Sequence, residues 1–256
     1  MRIVVKVGTS TLTYPTGHMN IRRVEELCRI LSDLKNAGHE IILVSSGAIA
    51  MGFGKLGLTA RPKDMPGKQA AAAVGQCELM YVYDRLFSSY NHTVAQLLLT
   101  GADLRDEERH TNFSNVVARL LAMNVLPVIN ENDTVATDEI AVGDNDTLGA
   151  IVAVSVQADL LILLSDIDGL YTADPHTDPQ AKLIPYVPAL TPEIWALAGG
   201  SGSALGTGGM KTKLNAAQIC MDGGCAMVIA NGADPGLLYG ITEGEPIGTR
   251  FGGNKE

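Results

Sequence analysis

Two lysines, one near each end of the chain, stand beside glycines and could bind an anion together. Lys6 lies in the apolar run VVKVGTS, and Lys213 ends the segment GGSGSALGTGGMKTK of residues 199–213. Six glycines in the first eleven positions of that segment leave backbone amides open just before a predicted helix N-terminus, where anions bind. A flexible loop and a lysine exposed at a sheet edge are the alternatives, although a charge inside a central strand is costly unless paired.

A second candidate is the acidic segment INENDTVATDEIAVGDND, residues 129–146, which holds six carboxylates and three asparagines. It could be a solvated loop, a metal site or a site for an ammonium group. Asp138 and Glu139 are predicted on the exposed side of a hairpin and receive no role. Asp146 could cap a helix or hold a lysine in place. No dedicated metal site is predicted, because Mg²⁺ usually keeps waters and nucleotide phosphates as ligands.

Several common catalytic motifs are missing from the sequence. GxxxxGK[ST], HExxH and GxSxG match nowhere, and the five histidines are scattered. The only GxGxxG is GFGKLG at 52–57, which begins several residues after a predicted strand instead of in a strand-to-helix turn. A dinucleotide-dependent oxidoreductase, which would rest on that motif alone, is kept as an alternative.

Composition and cysteine usage predict a soluble globular protein of the cytoplasm. The net charge of −9 and the lack of a run of Lys or Arg argue against a nucleic-acid partner. No segment has the length of a membrane span or the pattern of a signal peptide, so no membrane partner is predicted. The four cysteines form no CxxC and are expected to be reduced.

Hydrophobic periodicity predicts an α/β fold. Buried strands are predicted at 2–7, 40–45, 93–99, 125–130, 159–165 and 226–231. Helices are predicted between Asn20 and Gly38 and over 67–89, 112–123, 146–157 and 210–222. This alternation predicts a mainly parallel sheet covered on both faces, with ligands at the carboxyl ends of the strands.

Six motifs occur in an order that resembles a known family. They are KVGTS, SSGAIA at 45–50, VINEND at 128–133, VGDND at 142–146, LLSDIDGLYTADP at 163–175 and GTGGMKTK at 206–213. Over essentially the whole chain the sequence resembles the amino acid kinase family, and within it the glutamate kinases. The resemblance implies a three-layer αβα sandwich in one domain, residues 1–256. Its lobes for amino acid and nucleotide would be approximately 1–158 and 159–256.

The resemblance also implies an activity, the phosphorylation of the γ-carboxylate of L-glutamate by ATP, with Mg²⁺ carried by ATP, as the first step of proline biosynthesis. The catalytic residues it implies are Lys6, Asp146 and Lys213. The glutamate-binding residues it implies are Ser46, Gly47, Asn130, Asp133 and Asn145. The nucleotide-binding residues it implies are Lys6, Ser165, Asp166, Thr207, Gly208, Gly209, Met210, Lys211, Thr212 and Lys213.

The chemistry of this reaction agrees with the residues present. A carboxylate with a pKa near 4.3 is ionised at neutral pH, so the nucleophile needs no general base. Phosphoryl transfer needs positioning and charge neutralisation, which Lys6, Lys213 and the glycine segment could supply. Asp133 with Asn130 is the candidate acceptor cluster for the ammonium group of glutamate.

Two departures from the family are expected to matter. Many members carry a second domain of the kind found in RNA-modifying enzymes, whereas this sequence stops at Glu256, so a short form is predicted. Lys211 stands where the family commonly has a small hydroxyl residue, and its role stays open.

A symmetric homo-oligomer is the default expectation for such an enzyme. A glutamyl phosphate reductase partner is implied by resemblance, since the product is labile. The alternatives are a kinase of the same fold that acts on aspartate, N-acetylglutamate or UMP, and a non-catalytic amino-acid sensor.

Overall fold

A computed structural model describes residues 1–136, 145–175, 177–198 and 209–253 of the chain. Within those ranges the strands are β1 (Arg2–Val7), β2 (Glu40–Ser45), β3 (Val94–Leu99), β4 (Leu126–Glu131), β5 (Leu160–Ser165), β6 (Tyr186–Val187), β7 (Ala226–Asn231) and β8 (Thr249–Phe251). The helices are α1 (Thr9–Leu12), α2 (Ile21–Asn36), α3 (Ala48–Lys55), α4 (Met65–Ser88), α5 (Gly101–Arg105), α6 (Glu107–Ala122), α7 (Asn145–Ser155), α8 (Pro192–Leu197), α9 (Met210–Asp222) and α10 (Leu237–Glu243).

All eight strands join one sheet in the order β3-β4-β2-β1-β5-β7-β8-β6. Every pair is parallel except β7 with β8. Strand β1 lies in the middle, and its last residue, Val7, is in register with Ser45 of β2 on one side and Leu164 of β5 on the other. The carboxyl ends of β1, β2 and β5 therefore open at the same edge of the sheet.

Alternate residues of the strands face two separate apolar layers. Ile3 and Val5 of β1 pack with α2, α3, α4 and α10, whereas Val4 packs with α6, α7 and α9. Both faces of a parallel sheet are usually covered in this way, which explains the almost uninterrupted apolar runs in the strands. The predicted α/β sandwich around a mainly parallel sheet is confirmed.

The predicted long elements are present, with ends that differ by a few residues. The six predicted strands agree to within one residue at either end, while α6 begins earlier than predicted because Asp106 caps it by accepting from the amide of Arg109. The short elements α1, α3, α5, α8, α10, β6 and β8 were not predicted. The GFGKLG motif forms the end of α3 instead of a phosphate-binding turn. None of the helices in the described ranges is long and apolar enough to cross a membrane.

Helices α3 and α4 cross at a contact that admits no side chain. A Cβ built on Gly75 would lie 1.7 Å from the carbonyl oxygen of Ala48, and one built on Gly52 would lie 1.8 Å from that of Ala71. The two backbones thus touch directly. At this crossing, the first turn of α3, which follows β2 closely in the chain, packs against the middle of α4.

We predict that Gly75→Ala destabilises the protein by more than about 2 kcal/mol, because the new methyl group must push two backbones apart. The free energy of unfolding, measured in urea, checks this. Ala73→Ser, a similar small addition on the exposed side of the same helix, should change it by less than about 0.5 kcal/mol. Equal stability of the two variants would contradict the tight crossing.

Candidate active site

The carboxyl ends of three neighbouring strands meet at the point where the chain order changes direction across the sheet. The amide of Ser46 donates to the carbonyl oxygen of Val7 at 3.1 Å, and the amide of Gly8 donates to that of Leu164 at 3.3 Å. These bonds tie the turns after β1 and β2 to the strand ends. Open parallel sheets bind ligands at such a switch point.

Beside this point, Asp146 forms ion pairs with two lysines. The Nζ of Lys6 lies 2.6 Å from Asp146 Oδ1, and the Nζ of Lys213 lies 3.0 Å from Asp146 Oδ2. All three residues are buried, with at most 8% of their surface exposed. The residues predicted to be catalytic are therefore in direct contact, although β1, α7 and α9 contribute one each.

Small residues allow these elements to approach. A Cβ on Gly149 would stand 3.4 Å from the Cβ of Lys6, so α7 lies directly over the lysine stem on β1. Gly209 is the N-cap of helix α9, and its carbonyl oxygen accepts from the hydroxyl of Thr212 at 2.8 Å. Lys213 follows in the first turn of α9, where the positive end of the helix dipole adds to its charge.

The electrostatics of the cluster favour an anion. Burial by itself raises the pKa of the Asp146 carboxyl, but the charges and hydrogen bonds of Lys6 and Lys213 outweigh it and lower this pKa from 3.8 to about 2. The carboxylate is therefore ionised at neutral pH. With both lysines protonated, the three side chains carry one net positive charge at the open end of the sheet.

Amide side chains form a network next to this cluster. The Nδ2 of Asn145 lies within hydrogen-bond distance of the Ser45 carbonyl oxygen (3.1 Å), the Ser46 hydroxyl (2.8 Å) and the Oδ1 of Asn130 (3.1 Å). Asn130 lies near the end of β4 and is fully buried. Since Asn145 precedes Asp146 in the chain, the network and the ion cluster are adjacent.

The turn after β2 is held by a left-handed glycine and a buried hydroxyl pair. Gly47 has a φ of +95° and precedes α3, a conformation that few other residues adopt. The hydroxyl of Ser45 lies 2.8 Å from that of Tyr83 on α4. Residues predicted to bind a substrate, Ser46 and Gly47, thus lie on a turn that packing holds in place.

The ends of β5 and β7 form the other side of the site. Ser165 ends β5, and its hydroxyl donates to Asp166 at 3.1 Å. Nearby, Asp168 accepts from Asn231 and from Tyr171, both at 2.8 Å. These two hydrogen bonds, with Asn231 the stronger influence, lower the pKa of the Asp168 carboxyl. They join the loop after β5 to the end of β7.

The remaining predicted residues divide into three groups. Asp133 lies in the turn after β4 and is half-buried, as is Met210, while Lys211 is exposed on α9. Thr207 and Gly208 lie outside the described residues, as do Asp138 and Glu139. Gln76, which lies in a segment whose role the sequence left undecided, contacts Asn130 directly. The signal for Gln76 in the sequence is a polar residue among mostly small and apolar residues on the buried face of a helix.

The described part of the chain contains no group of three or more His, Cys, Asp and Glu side chains that could hold a metal ion. The acidic residues of the site behave differently from such a group. Asp146 is neutralised by lysines, and Asp168 is satisfied by an amide and a phenol.

The fold, with its buried lysine cluster at the switch point, suits a class of enzymes that transfer phosphate groups. The chain belongs to the amino acid kinase family, whose sequence pattern matches residues 1–231. Among curated proteins it is similar to glutamate 5-kinases. The protein of Listeria monocytogenes serotype 4b is 52% identical, with all of this chain and 94% of the relative covered.

Other relatives of the same name are longer than this chain. The glutamate 5-kinase of Moorella thermoacetica is 53% identical, and that of Carboxydothermus hydrogenoformans is 55% identical. The matches cover 98% of this chain but 66% and 67% of those proteins. The chain therefore spans about two thirds of these relatives and nearly the full length of the Listeria protein. The resemblance predicted from the six motifs is confirmed.

Solved structures agree on the fold. An isopentenyl phosphate kinase of T. acidophilum has a TM-score of 0.66 and a UMP kinase of Bacillus anthracis one of 0.64. Each is 16% identical and covers 98% of this chain, with 100% and 95% of the other chain covered. At that identity the likeness concerns architecture alone.

We predict that Asp146→Asn destabilises the protein by about 3 to 5 kcal/mol, because two buried ammonium groups lose their counter-charge. Urea unfolding at pH 7 measures this. Glu78→Gln, which breaks a more exposed pair with Lys55, should cost much less. Similar losses in both variants would contradict a buried cluster.

The same variant carries a pH prediction. Because folding lowers the pKa of Asp146 to about 2, its contribution to stability is complete above the ordinary pKa of 3.8 and is lost as the pH falls through about 2. The difference in unfolding free energy between the wild type and Asp146→Asn should therefore shrink between about pH 4 and pH 2. A constant difference over that range would show that Asp146 is not held ionised by the lysines.

Proposed function

We propose that this chain transfers the γ-phosphoryl group of ATP to the γ-carboxylate of L-glutamate and forms L-glutamyl 5-phosphate, the first step of proline biosynthesis. The observation that carries the proposal is the contact of Lys6, Asp146 and Lys213 beside the amide of Asn145. The glutamate 5-kinase relatives support the same activity. Acceptors such as aspartate, N-acetylglutamate and UMP are the alternatives to be tested.

The two lysines act on the phosphoryl group. In the reaction, a γ-carboxylate oxygen forms a bond to the γ-phosphorus, the bond to the β,γ-bridging oxygen breaks, and ADP leaves. Lys6 and Lys213, which contact different oxygens of Asp146, would neutralise charge on the phosphoryl oxygens. Asp146 has too low a pKa to accept a proton at neutral pH, so it is a positioning residue that holds both ammonium groups in place.

Glutamate binds on the side of β2 and β4. The Ser46–Gly47 turn and the amide of Asn145 would hold its carboxylates, since hydroxyl and amide groups can donate to them. Asn130 Oδ1 already accepts from Asn145 and from the amide of Glu131. The ammonium group is therefore assigned mainly to the carboxylate of Asp133.

ATP binds on the side of β5 and α9. Backbone amides at the start of α9 from Gly209 onward, with Met210, Lys211 and Thr212, would hold phosphates, because a helix N-terminus attracts anions. Ser165 and Asp166 would contact the nucleoside, and Thr207 and Gly208, which precede Gly209 in the sequence, are proposed to bind the nucleotide as well. Mg²⁺ would arrive on the phosphates of ATP and neutralise part of their charge.

Further properties belong to the proposal. The amino-acid lobe is residues 1–158 and the nucleotide lobe is 159–256, a division supported by the places of Ser46 and Asn145 on one side and Ser165 and Lys213 on the other. A homo-oligomer in the cytoplasm is the expected form. A labile acyl phosphate product favours a reductase as a partner, and the charge of −9 disfavours nucleic acid.

A hydroxamate assay tests the substrate. With ATP, Mg²⁺ and hydroxylamine present, we expect product with L-glutamate and at least tenfold less with aspartate or N-acetylglutamate, which lack the spacing or the ammonium group of glutamate. Omission of ATP is the control. Equal or greater product with aspartate would overturn the choice of substrate.

A pair of variants tests the two halves of the site. Lys213→Ala should lower kcat by about 10²- to 10³-fold, because the phosphoryl oxygens lose a buried cation. Asp133→Ala should raise the KM for glutamate at least tenfold and leave the KM for ATP within about threefold. Lys182→Ala, which removes an exposed lysine, is the matched control and should leave kcat and the two KM values unchanged. A normal KM for glutamate in Asp133→Ala would remove Asp133 from the ammonium site.

A further inference from the structure

Gln76 on α4 has a buried donor that the proposed reaction leaves without a role. The residue is 8% exposed, and its Nε2 is buried and has no hydrogen-bond partner among the residues that the structure describes. An unsatisfied buried amide is rare and usually marks a functional group or a bound molecule. Gln76 therefore differs from the apolar and small residues that surround it on the buried side of α4.

The orientation of the Gln76 amide follows from its neighbours. The backbone amide of Glu131 can only donate, and it donates to Asn130 Oδ1 at 2.8 Å. The Nδ2 of Asn130 must then face Gln76, and it donates to Gln76 Oε1 at 2.8 Å. A reversed Gln76 would place two NH₂ groups against each other. The atom of Gln76 that lacks a partner in the described ranges is therefore the Nε2 donor, because the hydrogen bonds of its neighbours fix the orientation of the amide.

The backbone contact of α3 with α4 fixes where this donor stands. Gly75, the residue before Gln76, touches the carbonyl oxygen of Ala48, which lies one residue after Gly47. The backbone of Gln76 is thus held near the Ser46–Gly47 turn. It could move away only if the contact between Gly75 and Ala48 were lost. Through Asn130 it is joined to Asn145, so it belongs to the amide network that borders the lysine cluster.

We propose that the Nε2 of Gln76 donates a hydrogen bond to the carboxylate of glutamate that does not react, and so contributes to the choice of substrate. The inference rests on the proposed function. An NH₂ group can bind either carboxylate of glutamate but not its ammonium group, which offers only donors. The reacting carboxylate must reach the lysines beside Asp146, whereas Gln76 is two hydrogen bonds further along the network, past Asn145 and Asn130.

Two variants separate this role from the support of Asn130. Gln76→Met removes both functions at similar volume. Gln76→Glu keeps an oxygen that can accept from Asn130 but, when ionised, removes the donor and places a negative charge against the substrate. We expect both to raise the KM for glutamate by about 10- to 100-fold, as for the loss of a hydrogen bond to a charged group. The KM for ATP and kcat should stay within about threefold.

The KM of Gln76→Glu must be measured over a range of pH, because a buried carboxyl that stays protonated could still donate a hydrogen bond to glutamate. Its KM for glutamate should rise between pH 6 and pH 8.5, while that of the wild type stays level. Gln218→Met, which removes a surface glutamine that contacts Asp222, is the matched control and should leave every constant unchanged. A KM in Gln76→Glu within twofold of the wild type up to pH 8.5 would overturn the proposal and leave Gln76 as a support for Asn130.

A measurement on the wild type does not depend on the folding of variants. In the NMR spectrum of the ¹⁵N-labelled protein, the side-chain amide signals of Gln76 should shift on addition of L-glutamate and stay in place on addition of ADP. Unchanged signals with saturating glutamate would overturn the proposal. If the wild type forms no hydroxamate with glutamate, the proposed function is wrong. The acid that does give product then replaces glutamate in the KM and NMR comparisons, and these test the role of Gln76 independently of the proposed function.

Discussion

Two ammonium groups share one buried carboxylate in this protein, and the strands and helices around them must be placed so that this contact can form. A charge moved from water into a protein interior must be paired, or it costs several kcal/mol. Asp146 meets this requirement for Lys6 and Lys213 together, and its own burial is offset by the same two charges. Lys6, Asp146 and Lys213 can meet because β1 lies in the middle of the sheet and because α7 and α9 pack on the same face of it.

The cluster also explains why the site has two sides with different chemistry. On the side of β2 and β4, amides and hydroxyls such as Asn145 and Ser46 lie near the carboxylate of Asp133, and this mixture suits an amino acid that carries both signs of charge. On the side of β5 and α9, a helix start and an exposed lysine, Lys211, suit phosphates. The lysines lie between the two sides, where a phosphoryl group would pass from one ligand to the other.

Much of this fold could be predicted from the sequence because parallel strands buried on both faces leave long apolar runs. The short helices were missed since α3 and α10 owe their place to tertiary contacts, such as that of Gly52 with α4, more than to a periodic pattern. Lys6 and Lys213 could be recognised by the glycines beside them. The orientation of Gln76 could not, because it depends on a backbone amide in β4 that is 55 residues away, and no local pattern records such a contact.

The central position of β1 has a consequence for synthesis on the ribosome. This strand is made first, and β2 soon covers one of its edges, but the other edge waits for β5, which is about 160 residues later. Until then an apolar strand offers unpaired backbone groups, and such edges promote association between incomplete chains. Lys6 lies in that strand, and its counter-charge, Asp146, precedes β5 by only one helix. Until Asp146 is made, the unpaired charge of Lys6 would oppose burial of β1 against another chain, in the way that lysines protect exposed strand edges.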